Sequence, residues 1–115
     1  MVCLGNICRS PIADGLLLRK LKELKLDAVV DSAGTANYHV GKAPDFRMIQ
    51  TAAKHGTRID FLRARQFLKT DFANFDHILV MDQSNYRNVI KLAPNKLAEK
   101  KVNFCIYSAN CILLV

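Results

Sequence analysis

The chain of 115 residues is predicted to fold as an α/β domain, a three-layer sandwich around a central parallel sheet, and three features lead to that expectation. Short continuous apolar runs at Ala28-Val29-Val30, Ile78-Leu79-Val80-Met81 and Val102 to Tyr107 have the character of strands buried on both faces. Segments with apolar residues three and four apart separate them, as helices do between parallel strands. No repeat, low-complexity stretch or linker divides the chain, and a hydrophobic content of 50% suffices for one core, so residues 1–115 are expected to form a single domain.

Taken in order, Met1-Val2 reads as the end of a strand, and the turn Cys3 to Arg9 feeds a helix. Ser10 is a suitable N-cap and Pro11 fits the first helical position, where its missing N–H costs nothing. That helix is predicted to run to about Leu26, with Ile12, Ala13, Leu16, Leu17, Leu21 and Leu24 inward and Arg19, Lys20, Lys22, Glu23 and Lys25 outward. The strand Ala28 to Val30 ends in Asp31-Ser32-Ala33-Gly34-Thr35, which has loop chemistry. Pro44-Asp45 opens a second helix that Gly56 stops after His55. Ile78 to Met81 is the next strand, Asp82 or Ser84 caps a third helix to about Leu92, and Val102 to Tyr107 forms a fourth strand. Residues 106–115 are apolar and carry no such signals, so they read as an atypical tail.

Composition narrows the classes of function. No run approaches the roughly 18 apolar residues of a membrane-spanning helix, and no secretory leader is recognisable, so a soluble cytoplasmic protein is expected, without a membrane partner. The formal charge of +7 is scattered, with no block of five or more like charges. A basic surface of this kind suits anionic substrates and does not signal nucleic acid. Cys3, Cys8, Cys105 and Cys111 lack Cys-x2-Cys spacing and no His-x3-5-His pair accompanies them, so neither a zinc module nor any other metal or cofactor is expected. The thiols read as reduced.

The chemistry is concentrated in Cys3 to Ser10. A Cys-x5-Arg-Ser turn between a strand and a helix lets successive main-chain N–H groups curl around one tetrahedral anion at the positive end of the helix dipole. Leu4, Gly5, Asn6, Ile7 and Cys8 supply those amides, and Gly5 permits close backbone approach. The same donors favour a thiolate, so Cys3 is expected to be a nucleophile, assisted by the Ser10 hydroxyl and the Arg9 guanidinium. Arg9 can also hold two oxygens of a phosphoryl group in its planar fork. A two-step displacement follows, in which Cys3 takes the phosphoryl group and water releases it. The plainer alternative is a helix N-terminus with two buried cysteines; Gly5, Ser10 and Pro11 in a strand-to-helix setting weigh against it.

Val2-Cys3-Leu4-Gly5-Asn6-Ile7-Cys8-Arg9-Ser10-Pro11 resembles the signature loop of the low-molecular-weight protein tyrosine phosphatases. Val30 to Thr35, Lys54-His55-Gly56, Ala64-Arg65-Gln66 and Phe75 to Asn85 are similar to family segments in family order, so that the likeness covers about residues 1–105. The resemblance implies phosphotyrosine proteins or small aryl phosphates as substrates, with Cys3 as nucleophile and Arg9 as phosphate ligand. It also implies that Asn6, Ser10, Ser32 and His55 hold the loop by hydrogen bonds, that Cys8 can trap oxidised Cys3, and that Tyr38 walls the cleft. Read without it, His55 is equally a helix C-terminal residue and Tyr38 an ordinary loop aromatic.

Departures from the family pattern carry their own expectations. Only Met1 and Val2 precede Cys3, so the family's first strand is expected to be missing or very short, and its C-terminal helix absent. No Asp-Pro occurs in the sequence, although the family places its general acid on such a loop. Asp45 and Asp82 fall at helix and strand ends with structural roles and are not expected to replace it. The expected function is therefore an aryl phosphate phosphatase impaired in leaving-group protonation, shortened at both ends through a late start and a frame change near Asn103. A non-catalytic phosphate or phosphotyrosine binder is the alternative. Arsenate reduction is disfavoured because Asp82 to Asn88 contains no resolving cysteine.

Overall fold

The computed structural model describes residues 1–105. Among the described residues, four strands and five helices follow one another: β1 (Val2–Cys3), α1 (Arg9–Glu23), β2 (Ala33–Gly34), α2 (Phe46–Lys54), α3 (Asp71–Asn74), β3 (Ile78–Val80), α4 (Gln83–Ile90), α5 (Lys96–Glu99) and β4 (Val102–Phe104). All pairings are parallel, in the order β2-β1-β3-β4. The chain leaves β1 toward one side to reach β2 and then crosses to β3 on the other. This reversal places a topological switch point beside β1, where ligands of open α/β sheets enter from the carboxyl ends of the strands.

The first strand is only two residues long, yet it is central: Val2 is in register with Ala33 on one side and Val80 on the other. Val2, Ala33, Phe67, Phe72, Ile78, Val80, Val89, Ala98 and Val102 form the core, which draws on every strand together with α3, α4 and α5. β3 and β4 and the helix capped by Asp82 form where the sequence reading put them, with Asn85 N–H donating to Asp82 Oδ1 at 2.8 Å. Asp45 caps α2 in the same way through Arg47 N–H at 2.9 Å, and Gly56 follows the helix with φ +77°.

Three local expectations fail, each for a physical reason. Ala28 to Val30 is not a strand: Val29 is 85% exposed, and β1 pairs with Ala33–Gly34 instead. α1 begins at Arg9 with Cys8 as N-cap, and Ser10 is inside the helix with its hydroxyl aimed at the preceding loop. The same helix stops at Glu23, because Lys25 adopts φ +55° and the bonds Leu26 N–H to Leu21 O and Lys25 N–H to Lys22 O close a Schellman turn. With lysine in place of the usual glycine, that stop left no mark in the sequence pattern. α3 and α5, of four residues each, were likewise unforeseen. Residues 106–107 of the expected fourth strand, the tail 106–115 and Cys111 lie outside the described residues.

Candidate active site

The loop from Cys3 to Ser10 connects β1 to α1 at the switch point. Its carbonyls point outward: Cys3 O accepts from Thr35 N–H and Leu4 O from Ala36 N–H, both at 2.9 Å, and Ile7 O from Asp45 N–H at 2.8 Å. Among the described residues, the N–H groups of Leu4 through Cys8 donate to no protein acceptor. Carbonyls turned out and amides turned in make a concave set of donors, suited to an oxyanion. Asn6 adopts φ +57°, the left-handed conformation that lets the loop curl and that asparagine tolerates better than most residues.

Cys3 is 3% exposed at the base of this concavity, with its Sγ 3.0 Å from Ser10 Oγ. Asn6 Nδ2 donates to the same hydroxyl at 2.8 Å. The single Ser10 proton is therefore free to point at sulfur or at the more distant Ala33 O, 3.5 Å away. A hydroxyl that already receives a hydrogen bond is a better donor, which suits it to a thiolate.

Asn6 is itself anchored across the sheet, its Oδ1 accepting from Arg65 N–H at 3.0 Å. Arg65 is a hub that sequence reasoning passed over as a mere motif match. Its Nε donates to Asp31 Oδ2 at 2.9 Å, and its terminal nitrogens grip both oxygens of buried Asp71 at 3.0 and 3.1 Å. Gly34 is equally tied to the loop, since a Cβ there would stand 2.7 Å from Leu4 O. Neither is identifiable from local pattern, because each acts on residues distant in the chain.

Two residues expected to support the loop are engaged elsewhere. His55 caps the end of α2, its Nδ1 2.9 Å from Thr51 O. Ser32 donates its backbone N–H to Asp31 Oδ1 at 2.8 Å, and among the described residues its hydroxyl makes no hydrogen bond to the loop. Asp14 is buried, its Oδ2 has no partner among the described residues, and desolvation raises its pKa.

Arg9 Nη1 is 2.8 Å from Asp82 Oδ2. The Asp82 pKa is lowered, first by the Asn85 amide and then by Arg9. The pair is exposed, so its net worth is only about 0–1 kcal/mol and an incoming phosphoryl group can compete for the guanidinium. The Cys8 thiol is pushed up by burial, then by the Asp45 and Cys3 charges. A cleft of about 280 Å³ lies above the loop, lined by Cys3, Leu4, Gly5, Ile7, Cys8, Arg9, Tyr38 and His39. Tyr38, 69% exposed, stands on its wall with His39 beside it. No group of three or more potential metal ligands occurs among the described residues.

Comparison with known proteins agrees with this geometry. A sequence profile described as low molecular weight phosphotyrosine protein phosphatase matches residues 1–111, beyond the limit near residue 105 inferred from motifs. The phosphatase of that name from Schizosaccharomyces pombe is 40% identical over 111 residues, covering 94% of this chain and 70% of the yeast protein. Its Mus musculus counterpart is 47% identical over 90 residues, and there the match spans 56% of the mouse protein. A protein tyrosine phosphatase from Entamoeba histolytica, crystallised with Hepes in its active site, superposes with a TM-score of 0.86 at 34% identity, covering 93% of this chain and 72% of that one. The chain belongs to the low molecular weight phosphotyrosine protein phosphatase family.

Proposed function

We propose that this chain hydrolyses phosphotyrosine in proteins, or small aryl phosphates, through a phosphocysteine intermediate. The observation that carries the reading is the 3.0 Å contact between Cys3 Sγ and Ser10 Oγ at the base of a loop whose Leu4 to Cys8 amides face inward. Cys3 attacks phosphorus, Arg9 leaves Asp82 to hold two phosphoryl oxygens, and the amides of Leu4, Gly5, Asn6, Ile7 and Cys8 bind the oxygens as their charge redistributes. Ser10 stabilises the thiolate, both before attack and when it departs from phosphorus. The Tyr38 ring and the Leu4 and Ile7 side chains supply an apolar wall for a phenyl ring. Cys8, in the same loop, is placed to form a protective disulfide with oxidised Cys3.

No carboxylate lines the described cleft, and the nearest one in the site's hydrogen bonds, Asp82, is held ionised by Arg9 and the α4 amide. Leaving-group protonation is therefore weak, and general acid catalysis is commonly worth about 10²–10⁴-fold. The same observation favours a second reading, a phosphotyrosine binder that retains its ligand without turnover.

Assay of purified protein beside Cys3→Ser, on 4-nitrophenyl phosphate and on phosphotyrosine, decides between them. Hydrolysis confined largely to the nitrophenyl ester is the expected result. Vanadate binding without turnover of either ester would establish the binder. Equal rates for Cys3→Ser and the unsubstituted chain would remove Cys3 from the mechanism.

A further inference from the structure

A main-chain N–H can only donate, and this fixes the direction of the hydrogen bonds that end at the Cys3 sulfur. Arg65 N–H points at the Asn6 side chain, so the atom that faces it at 3.0 Å is the carbonyl oxygen, Oδ1. The side-chain amide is planar, and its NH2 group is thereby turned to Ser10 Oγ at 2.8 Å. The hydroxyl accepts there, which leaves its own proton for Cys3 Sγ at 3.0 Å or Ala33 O at 3.5 Å. With the Asn6 amide turned over, its oxygen would draw the Ser10 proton away from sulfur and its NH2 would confront the Arg65 N–H. Asn6 is 2% exposed, so solvent is not at hand to relieve two opposed donors.

The Arg65 N–H is held in place by its own side chain. Residues 62–65 belong to no helix or strand, and the Arg65 carbonyl has one partner in β2, the Gly34 N–H at 2.8 Å. The guanidinium supplies the other fixed points. Its Nε donates to Asp31 Oδ2 at 2.9 Å, and its two terminal nitrogens donate to the carboxylate of Asp71, at 3.0 and 3.1 Å. Asp71 is 5% exposed and is itself tied to the start of α3 by accepting from Leu68 N–H at 2.8 Å. A planar fork bound through three nitrogens is fixed in orientation as well as in position, which a lysine ammonium would not be.

We propose that Arg65 is a positioning residue for Cys3, its side chain deciding through Asn6 and Ser10 which way the serine proton points. The effect on rate rests on the phosphatase reading and deepens it, because Arg65 does not line the cleft and yet governs the nucleophile within it.

Arg65→Lys keeps the charge and the main-chain N–H and removes the fork. Its kcat on 4-nitrophenyl phosphate is expected to fall about fivefold, less than the loss on deleting the Ser10 hydroxyl outright. Competition by inorganic phosphate should stay unchanged, since Arg9 and the Leu4 to Cys8 amides remain. Asn6→Gly tolerates the left-handed backbone and deletes the side-chain amide, and in that background Arg65→Lys should cost nothing further. Losses that multiply in the double variant, or a lower melting temperature with kcat unchanged, would overturn the proposal. Asp31→Asn disturbs the more exposed arm of the cluster and should show the same pattern more weakly, which keeps the test open if Arg65→Lys does not fold. Hydrogen exchange of the Asn6 side-chain amide, followed by NMR, needs no turnover. In Arg65→Lys it should quicken about tenfold with the buried Val80 amide unaffected, and equal acceleration at both would overturn the positioning role. Selective acceleration at Asn6 in a chain whose activity is indifferent to Cys3→Ser would uphold the positioning and bring down the phosphatase reading alone.

Discussion

The two ends of β1 open onto two cavities of opposite character. At the carboxyl end lies the cleft of about 280 Å³ over Cys3 and Arg9. At the amino end lies a larger space of about 460 Å³, walled by Leu17, Leu21, Val29, Phe67, Phe75 and Ile78 and bordered by the Arg65, Asp31 and Asp71 ion pairs. The larger cavity has the less usable chemistry, since the charged groups of its Arg65 cluster already satisfy one another. The smaller one collects inward-facing amides, a buried thiol and a cation in exposed, easily released pairing. Direction along the strand, more than volume, separates them: helix N-termini and their free N–H groups face only the carboxyl edge of a parallel sheet.

This contrast predicts that substitutions at the upper end change rate with little change in stability, and substitutions at the lower end do the reverse. The largest effect is expected for Arg9→Lys, which keeps the charge and loses the planar fork. It should reduce kcat/KM on aryl phosphates by about 10²–10³-fold, the cost of an oxyanion donor, while the melting temperature stays close to that of the unsubstituted chain. Asp71→Asn comes next, acting from below. It removes a buried carboxylate that accepts from Arg65 at 3.0 and 3.1 Å and from Leu68 N–H at 2.8 Å. A loss of about 3 kcal/mol in denaturant unfolding is expected, the low end for a broken buried pair because Arg65 is partly exposed. An Arg65 left with Asp31 alone should also loosen Asn6 and so spread into activity, which would blur the division between the two ends.

Ser10→Ala deletes the hydroxyl that faces sulfur, and kcat should fall about tenfold, the lower range for a hydrogen bond to a charged group. A fall in melting temperature without a fall in kcat would show that Ser10 serves packing alone. Asp14→Asn is the smallest and carries a sign. Burial raises the folded-state pKa of this carboxyl above its unfolded value. Its protonated form therefore favours folding below the unfolded pKa, and that contribution is lost as pH rises through the folded pKa. The asparagine variant should be more stable at pH 7, by roughly 1 kcal/mol or about 4 °C, and the difference should vanish in acid. Thermal melts at pH 7 and pH 3 measure it.

Family matches confined to short motifs pointed to the right family, and the structural details then divided by range. Asp45 and Asp82 capped their helices as their sequence positions implied, because a cap bonds to an amide two or three residues on. Ser10 has the composition of a cap and the job of a thiol partner; its role depends on where Asn6 and Cys3 are held, not on its neighbours in the chain. For His55 and Ser32, membership of a matching segment is accompanied by no hydrogen bond from either side chain to the loop among the described residues.

Residues 3–10 alone determined that a tight turn with inward amides and a thiol would form, because the glycine, the asparagine able to take a left-handed backbone and the start of a helix act within a few bonds of one another. Tertiary structure decided what makes that turn a site. Asn6 is held by Arg65, 59 residues away, and Arg9 by Asp82, 73 residues away, and such contacts exist only once a parallel sheet has brought separate strand ends to one edge.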